Sequence, residues 1–180
     1  DGVWIQNELG EEVGLKTGDK VLSIDGEKVE KFRDLFVGFI EGDSYTIERD
    51  GQKIKKDIPI DFISKLADRE KESANFFAPR IPFFIGKVVD TLQNANSDLK
   101  PKDIVIAINK RPIKYFDEVE TEFGKYKNEN VTLTVKRGDN TKDVEVKLDD
   151  NGKIGIQIAM MPEGDLEKLG YYTFETKTYS

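Results

Sequence analysis

"GLKTGDKVLSIDGEKVEKF" runs from Gly14 to Phe32, and "DLKPKDIVIAINKRPIKYF" from Asp98 to Phe116. The offset between Leu15 and Leu99 aligns Gly2 through Asp34 with Gly86 through Glu118 without a gap. Gly2/Gly86, Leu15/Leu99, Lys16/Lys100, Asp19/Asp103, Val21/Val105, Ile24/Ile108 and Phe32/Phe116 are identical, and Trp4/Val88, Leu22/Ile106 and Val29/Ile113 stay apolar. A chain that repeats itself at this spacing is expected to fold as two copies of one small unit, each able to bury a modest core of its own.

The periodicities within each copy predict its elements. "GVWI" and "GKVV" read as short apolar strands, and "DKVLSIDG" and "DIVIAINK" as buried strands ending in tight turns, since Asp25-Gly26 suits positive φ and Asn109 tolerates it. A return strand through Val29 or Ile113 follows, then a helix. Phe32, Leu35, Phe36, Phe39 and Ile40 fall at helical spacing in the first copy, and Phe116, Val119 and Phe123 in the second, where Asp117 and Glu120 suggest a capping box. Period-2 runs from Tyr45 to Ile60 and from Val131 to Leu148 turn at Asp50-Gly51 and Gly138-Asp139, as hairpins do. "IGIQIAMM", Ile154 to Met161, reads as one more strand. The fold class is α+β, mostly β: two small, partly open barrels or sandwiches, each with one main helix. The expected boundaries are 1–67 for the first domain, 68–75 for a charged linker, 76–162 for the second domain and 163–180 for a tail.

Composition removes several functions. The 180 residues include no Cys and no His, so the commonest zinc ligands, the thiol nucleophile and the imidazole base are all missing. A net charge of −7 with dispersed Lys and Arg argues against nucleic acid. The apolar runs Leu35–Ile40 and Ile81–Gly86 are far short of the ~20 residues that span a bilayer, so direct membrane insertion of this stretch is not expected.

The run "VGLKTGDKVLSIDG" resembles the "aGLxxGDxIxxING" phrase of bacterial PDZ domains. The second copy resembles it with departures: Asp98, Pro101-Lys102 and Asn109-Lys110 stand where the pattern has Gly, x-Gly and Asn-Gly. Two such units with a short linker and the tail "IGIQI" look like the extracytoplasmic insert of site-2 type intramembrane metalloproteases, the regulator of sigma-E protease group. The resemblance implies a regulatory insert at the periplasmic face of the inner membrane. It implies a parent zinc endopeptidase whose HExxH motif lies in transmembrane helices elsewhere, with no catalytic residue, metal ligand or cofactor in this stretch. The implied partner is a peptide or a membrane-protein substrate of the anti-sigma factor kind, admitted by size or by its terminus, and the implied state is a monomer. The tail would lead towards a membrane segment. Two alternatives stay open: a peptide-binding module of a soluble periplasmic serine protease or chaperone, and a free-standing adaptor.

A PDZ-type unit takes an extended peptide as an added strand beside its helix. In the second copy the groove strand is expected at Phe84 to Val89, entered by the loop Pro79 to Phe83 and facing a helix from Asp117 to Lys127. The candidate contacts are Arg80, Phe83, Phe84, Ile85, Gly86, Lys87, Val88, Val119, Glu122 and Phe123, with Arg80 and the loop amides as carboxylate ligands. The first-copy counterparts are Val3, Trp4, Ile5, Leu35 and Phe39. Three weaker patterns read as structure: Asp149–Gly152 as a turn rather than a calcium loop, Ser64-Lys65 as a surface pair rather than a dyad, and "NVT" at Asn130 as the start of a strand.

Overall fold

The repeated phrase forms the same piece of structure twice. The protein, a computed structural model that describes residues 2–68, 75–90 and 92–171, comprises two compact units that divide between Arg80 and Ile81. Residues 69–74 of the expected linker and the tail beyond Tyr171 lie outside the described residues.

In the first unit β1 (Val3–Ile5) and α1 (Glu8–Glu12) precede β2 (Lys20–Ile24), β3 (Glu27–Lys28), α2 (Phe32–Glu41), β4 (Ser44–Arg49), β5 (Gln52–Asp57), α3 (Phe62–Ala67) and β6 (Phe77–Pro79). One sheet has the order β3-β2-β4-β5, and β1 pairs with β6 in a second. The apolar stripe of α2 supplies Leu35 and Phe39 to a core that also takes Val3, Leu15, Ile47 and Phe62. Phe76 and Phe77 are buried in this same core, and β6 pairs antiparallel with β1. The segment expected to open the second domain at residue 76 therefore closes the first, because its phenylalanines fill the space against α2.

The second unit runs β7 (Phe83–Val88), β8 (Ile104–Ile108), β9 (Arg111–Pro112), α4 (Asp117–Phe123), β10 (Asn130–Arg137), β11 (Asn140–Lys147), β12 (Ile156–Ile158) and α5 (Glu163–Lys168). Its sheet order is β11-β10-β8-β7-β12, with β9 on β8. Phe83, Ile85, Val105 and Ile108 face the main core under Val119 and Phe123. Ile104, with Phe84 and Ile106 packed alongside, meets Tyr115, Met161, Leu166 and Tyr171 in a smaller core. Cover on both faces explains why β7 and β8 read as unbroken apolar runs instead of alternating ones. It also corrects the second boundary: α5 and Tyr171 belong to the packed unit, not to a free tail.

A polar lock recurs with the repeat. Asp19, 1% exposed, accepts from Arg49 Nε and Nη2, both at 2.7 Å, and from the Lys16 N–H at 2.8 Å. Asp103, 0% exposed, accepts from Arg137 Nε and Nη2, both at 2.7 Å, and from the Lys100 N–H at 2.9 Å. The same guanidinium nitrogens reach the carbonyls of Gly14 and Asp98. Bidentate pairing and a backbone donor make burial of the carboxylate tolerable, and each arginine is pushed above its ordinary pKa, first by its hydrogen bond to that aspartate. The ladder irregularity recurs as well, at Leu22 between β2 and β4 and at Ile106 between β8 and β10. Beside the first lock, burial and then the Asp19 charge push the Tyr45 hydroxyl up to about 12, and it donates to the Val13 carbonyl at 2.5 Å.

The turns keep one geometry despite different residues. Gly18 and Gly26 have φ of +98° and +87°, and Lys102 and Lys110 adopt +74° and +66° in their places. The glycines that the second copy lacks are thus replaced by strained lysines, at a cost on the order of 1 kcal/mol each. The capping box expected for α4 would put Asp117 at the N-cap, but Asp117 is the first helical residue. Phe116 stands at the N-cap with no side-chain cap, and Glu118 Oε1 accepts from the Tyr115 N–H instead.

Asp25 and Asn109 occupy equivalent turns, with φ of +49° and +47°, and tie them to the next long strand. The Asp25 carboxylate accepts from the Asp43 and Ser44 N–H groups, and Asn109 Oδ1 from the Thr132 N–H. Those backbone bonds, Asp43 first, hold the Asp25 pKa below its ordinary value. A depressed folded pKa gives stability that is present above the unfolded value of ~3.9 and is lost as pH falls through the folded one. Thermal unfolding followed from about pH 6 down to about pH 2 is therefore expected to show a weaker acid dependence in Asp25→Asn, which retains one acceptor as Asn109 does. An unchanged acid dependence would mean that other carboxylates carry it all.

Candidate functional site

The expected groove strand is not an edge. Phe83, Phe84, Ile85, Gly86, Lys87 and Val88 form β7, which has β8 on one side and β12 on the other. Gly86 is small for that reason: a Cβ there would stand 2.9 Å from Ala159 Cβ and 3.0 Å from the Gln157 carbonyl oxygen. The entrance loop is also engaged, since the Ile81 carbonyl accepts from the Phe116 N–H and the Pro82 carbonyl from the Phe84 N–H. Arg80 falls in the first unit.

The edge that strand addition needs belongs to β12. The Gly155 carbonyl accepts from the Val89 N–H at 3.0 Å, and the Ala159 N–H donates to the Phe84 carbonyl at 3.0 Å, so these residues face β7. Backbone groups alternate along an antiparallel ladder. Ile156 and Ile158 therefore turn their N–H and C=O groups the other way, where no strand pairs with them among the described residues. Ile156 is half-buried against the main core, and Ile158 is 40% exposed. They form an apolar floor with two donors and two acceptors at its border.

The loop entering β12 is a built turn. Asp149 Oδ1 accepts from the Asn151 and Lys153 N–H groups at 2.9 and 2.7 Å, and Gly152 and Gly155 take φ of +76° and +70°. No group of three acidic, His or Cys side chains among the described residues is placed to hold a metal ion. Gly152 lies beside the Phe123 and Gly124 backbone, which brings this loop to the C-terminal end of α4.

On α4 the expected contacts separate. Val119 and Phe123 are core residues. Glu122 is 5% exposed and ion-paired to Arg111 at 2.9 Å and Lys125 at 2.7 Å, on the flank facing β9. The opposite flank carries Phe116, Glu120 and Gly124 at i, i+4 and i+8. Of these, Phe116 sets its ring 5.2 Å from Phe83.

In the first unit Val3, Trp4 and Ile5 form β1, whose partner β6 is the equivalent edge. The Gln6 N–H donates to the Phe76 carbonyl, so by the same alternation Phe77 and Pro79 face outward. Proline has no N–H, which leaves Phe77 as the single outward donor of β6. The helix flank is filled: Phe32 lies 5.4 Å from Phe77 and Phe36 5.9 Å from Phe76, ring to ring. Leu35 and Phe39 are core.

Ser64 donates to the Asp61 carbonyl, and Lys65 pairs with the carboxylates of Glu12 and Asp61. Asn130 starts β10 and donates to Glu145. No helix among the described residues is long and apolar enough to cross a membrane.

Against known proteins, the family model for the PDZ domain matches residues 84–148. Among solved structures the chain is similar to the PDZ domain of the SdrC-like protein from Listeria monocytogenes. The two share 24% identity over 46% of this chain and 88% of that one, with a TM-score of 0.37. No curated protein matches. The family match begins in β7 and ends after β11, over the strand, hairpin, helix and hairpin already described, and the chain contains a PDZ domain there.

Proposed function

We propose that the second unit reads peptides by strand addition to β12, with α4 as the other wall. The observation that carries this reading is the open edge of Ile156 and Ile158, two outward donors and two outward acceptors over an apolar floor. Each main-chain hydrogen bond adds about 0.5–1.5 kcal/mol net, so a short added strand gives weak, reversible binding. The loop at Gly152 to Gly155 sits where a peptide's C-terminus would end; Asp149 takes the Gly152 and Lys153 N–H groups and Gly155 faces β7, so the Ile154 N–H is the loop's donor towards a carboxylate.

In the same proposal the chain is a tandem of PDZ-type units and acts as the regulatory insert of a membrane-embedded site-2 zinc protease. There it would screen periplasmic substrates by bulk and by exposed termini before they reach a metal held elsewhere. The duplicated Leu-x-x-x-Asp phrase, the recurring Asp–Arg lock and the recurring ladder irregularity support kinship of the two units. The first unit contributes bulk rather than reading, because Phe36, Phe76 and Pro79 close its flank and its edge.

Backbone amide shifts measured while titrating short apolar peptides, with free or amidated C-termini, test the reading. Shifts are expected at Ile156–Ala159 and along Phe116, Glu120 and Gly124, and are expected to weaken on amidation. No shift at millimolar peptide would rule out strand addition and leave exclusion by size.

A further inference from the structure

The two units share a framework and differ in one row of side chains. Phe32, Phe36 and Ile40 on α2 correspond to Phe116, Glu120 and Gly124 on α4. In the first unit this row meets the closing strand, through Phe32 on Phe77 and Phe36 on Phe76. In the second the row therefore faces β12, and the loop at Gly152, beside Gly124, marks its far end. Glu120 stands in the middle of that wall, where the first unit has a phenylalanine.

The surrounding charges leave Glu120 without a cation. Arg111 and Lys125 are held by Glu122 on the other flank of the helix. No ion pair reaches Glu120 among the described residues, and its side chain is exposed. The other ionisable groups of α4, of the segment that follows it and of the loop entering β12 are Asp117, Glu118, Tyr126, Lys127, Glu129, Asp149, Asp150 and Lys153, a net negative set. An added strand presents alternate side chains to the floor and the wall.

Resting on the strand-addition reading, we infer that the groove between β12 and α4 selects peptides with a lysine or arginine at the position opposite Glu120, flanked by apolar residues over Ile156 and Ile158. A charge pair at such a rim changes affinity modestly, but like charges brought together there also repel.

The test uses the whole chain and acetylated heptapeptides of alternating valine and serine with free C-termini. Lysine, alanine or glutamate replaces each non-terminal position in turn, and binding is read from amide shifts. At one position lysine is expected to bind about tenfold tighter than glutamate, with alanine between. Glu120→Gln is expected to remove that preference and Glu120→Lys to reverse it, with the β8–β10 amides unmoved as the sign of an intact fold. Equal binding of the three peptides at every position would overturn the inference while strand addition stands. A lysine preference surviving in Glu120→Gln would overturn it too, by placing the selection on another carboxylate. If no peptide shifts the wild-type chain, the inference falls together with the reading beneath it.

Discussion

Arg49→Ala is expected to destabilise the first unit by about 3–5 kcal/mol, the range for removing one partner of a buried ion pair. Asp19 would keep only the Lys16 N–H, inside a core where it is 1% exposed. The Gly14 carbonyl loses its donor in the same step. Arg137→Ala acts in the same direction on Asp103. Amide exchange resolves the two cases: Arg49→Ala should lower protection in β2 and β4, and Arg137→Ala in β8 and β10. Full protection in β2 and β4 of Arg49→Ala would show that Asp19 finds another partner and that the lock is ornamental to stability.

The second large effect concerns binding. Ile158→Pro removes an outward N–H of β12 while leaving the Ala159 bond to β7 in place, and β6 itself carries a proline, Pro79, at an outward-facing position. Peptide affinity is expected to fall about tenfold, with a stability change within about 1 kcal/mol. Ile158→Val keeps the donor and most of the floor and should bind like the wild type. Gln157→Pro, by contrast, strikes a residue that faces β7 and should detach the strand. If Ile158→Pro binds as well as the wild type, the peptide is not held by the edge of β12.

Much of the fold can be read from local pattern. The gapless repeat places β2 on β8 and β3 on β9, and the helical spacing of Leu35 and Phe39 identifies their core face. Element order survives because turns and amphipathic stripes are encoded within a few residues of where they act. Pairing is a different matter. β7 and β12 are both short apolar runs, and nothing inside either run states how many neighbours it will have. The distinction arises from residues some 70 positions apart meeting at Lys87 and Gln157. The strand expected to line the groove, Phe84 to Val89, is therefore one with two neighbours instead of an edge. A signal was present in "KIGIQI", where Ile154, Ile156 and Ile158 alternate behind a glycine turn, as a strand with one solvated face would. Glu122 is a comparable case. Its spacing puts it near the groove, but Arg111 and Lys125 hold it on the far flank, and a salt bridge between a hairpin and a helix leaves no local trace. The arginines of the two locks were likewise invisible as partners, since each lies 30 or more residues beyond its aspartate.

The closing strand of each unit pairs with the first strand of that unit, β6 with β1 and β12 with β7. This has a consequence for ancestry and for synthesis. A segment whose two ends are hydrogen-bonded to each other can be copied head to tail with neither copy needing a strand from the other, so duplication of such a segment yields two units that each close on themselves. During translation the same arrangement delays closure, because the opening strand must wait for the last one to leave the ribosome before its ladder is complete. In the second unit β12 would then complete the sheet last, with α5 still to follow, and a terminal strand with one neighbour opens at lower cost than the interior of the sheet.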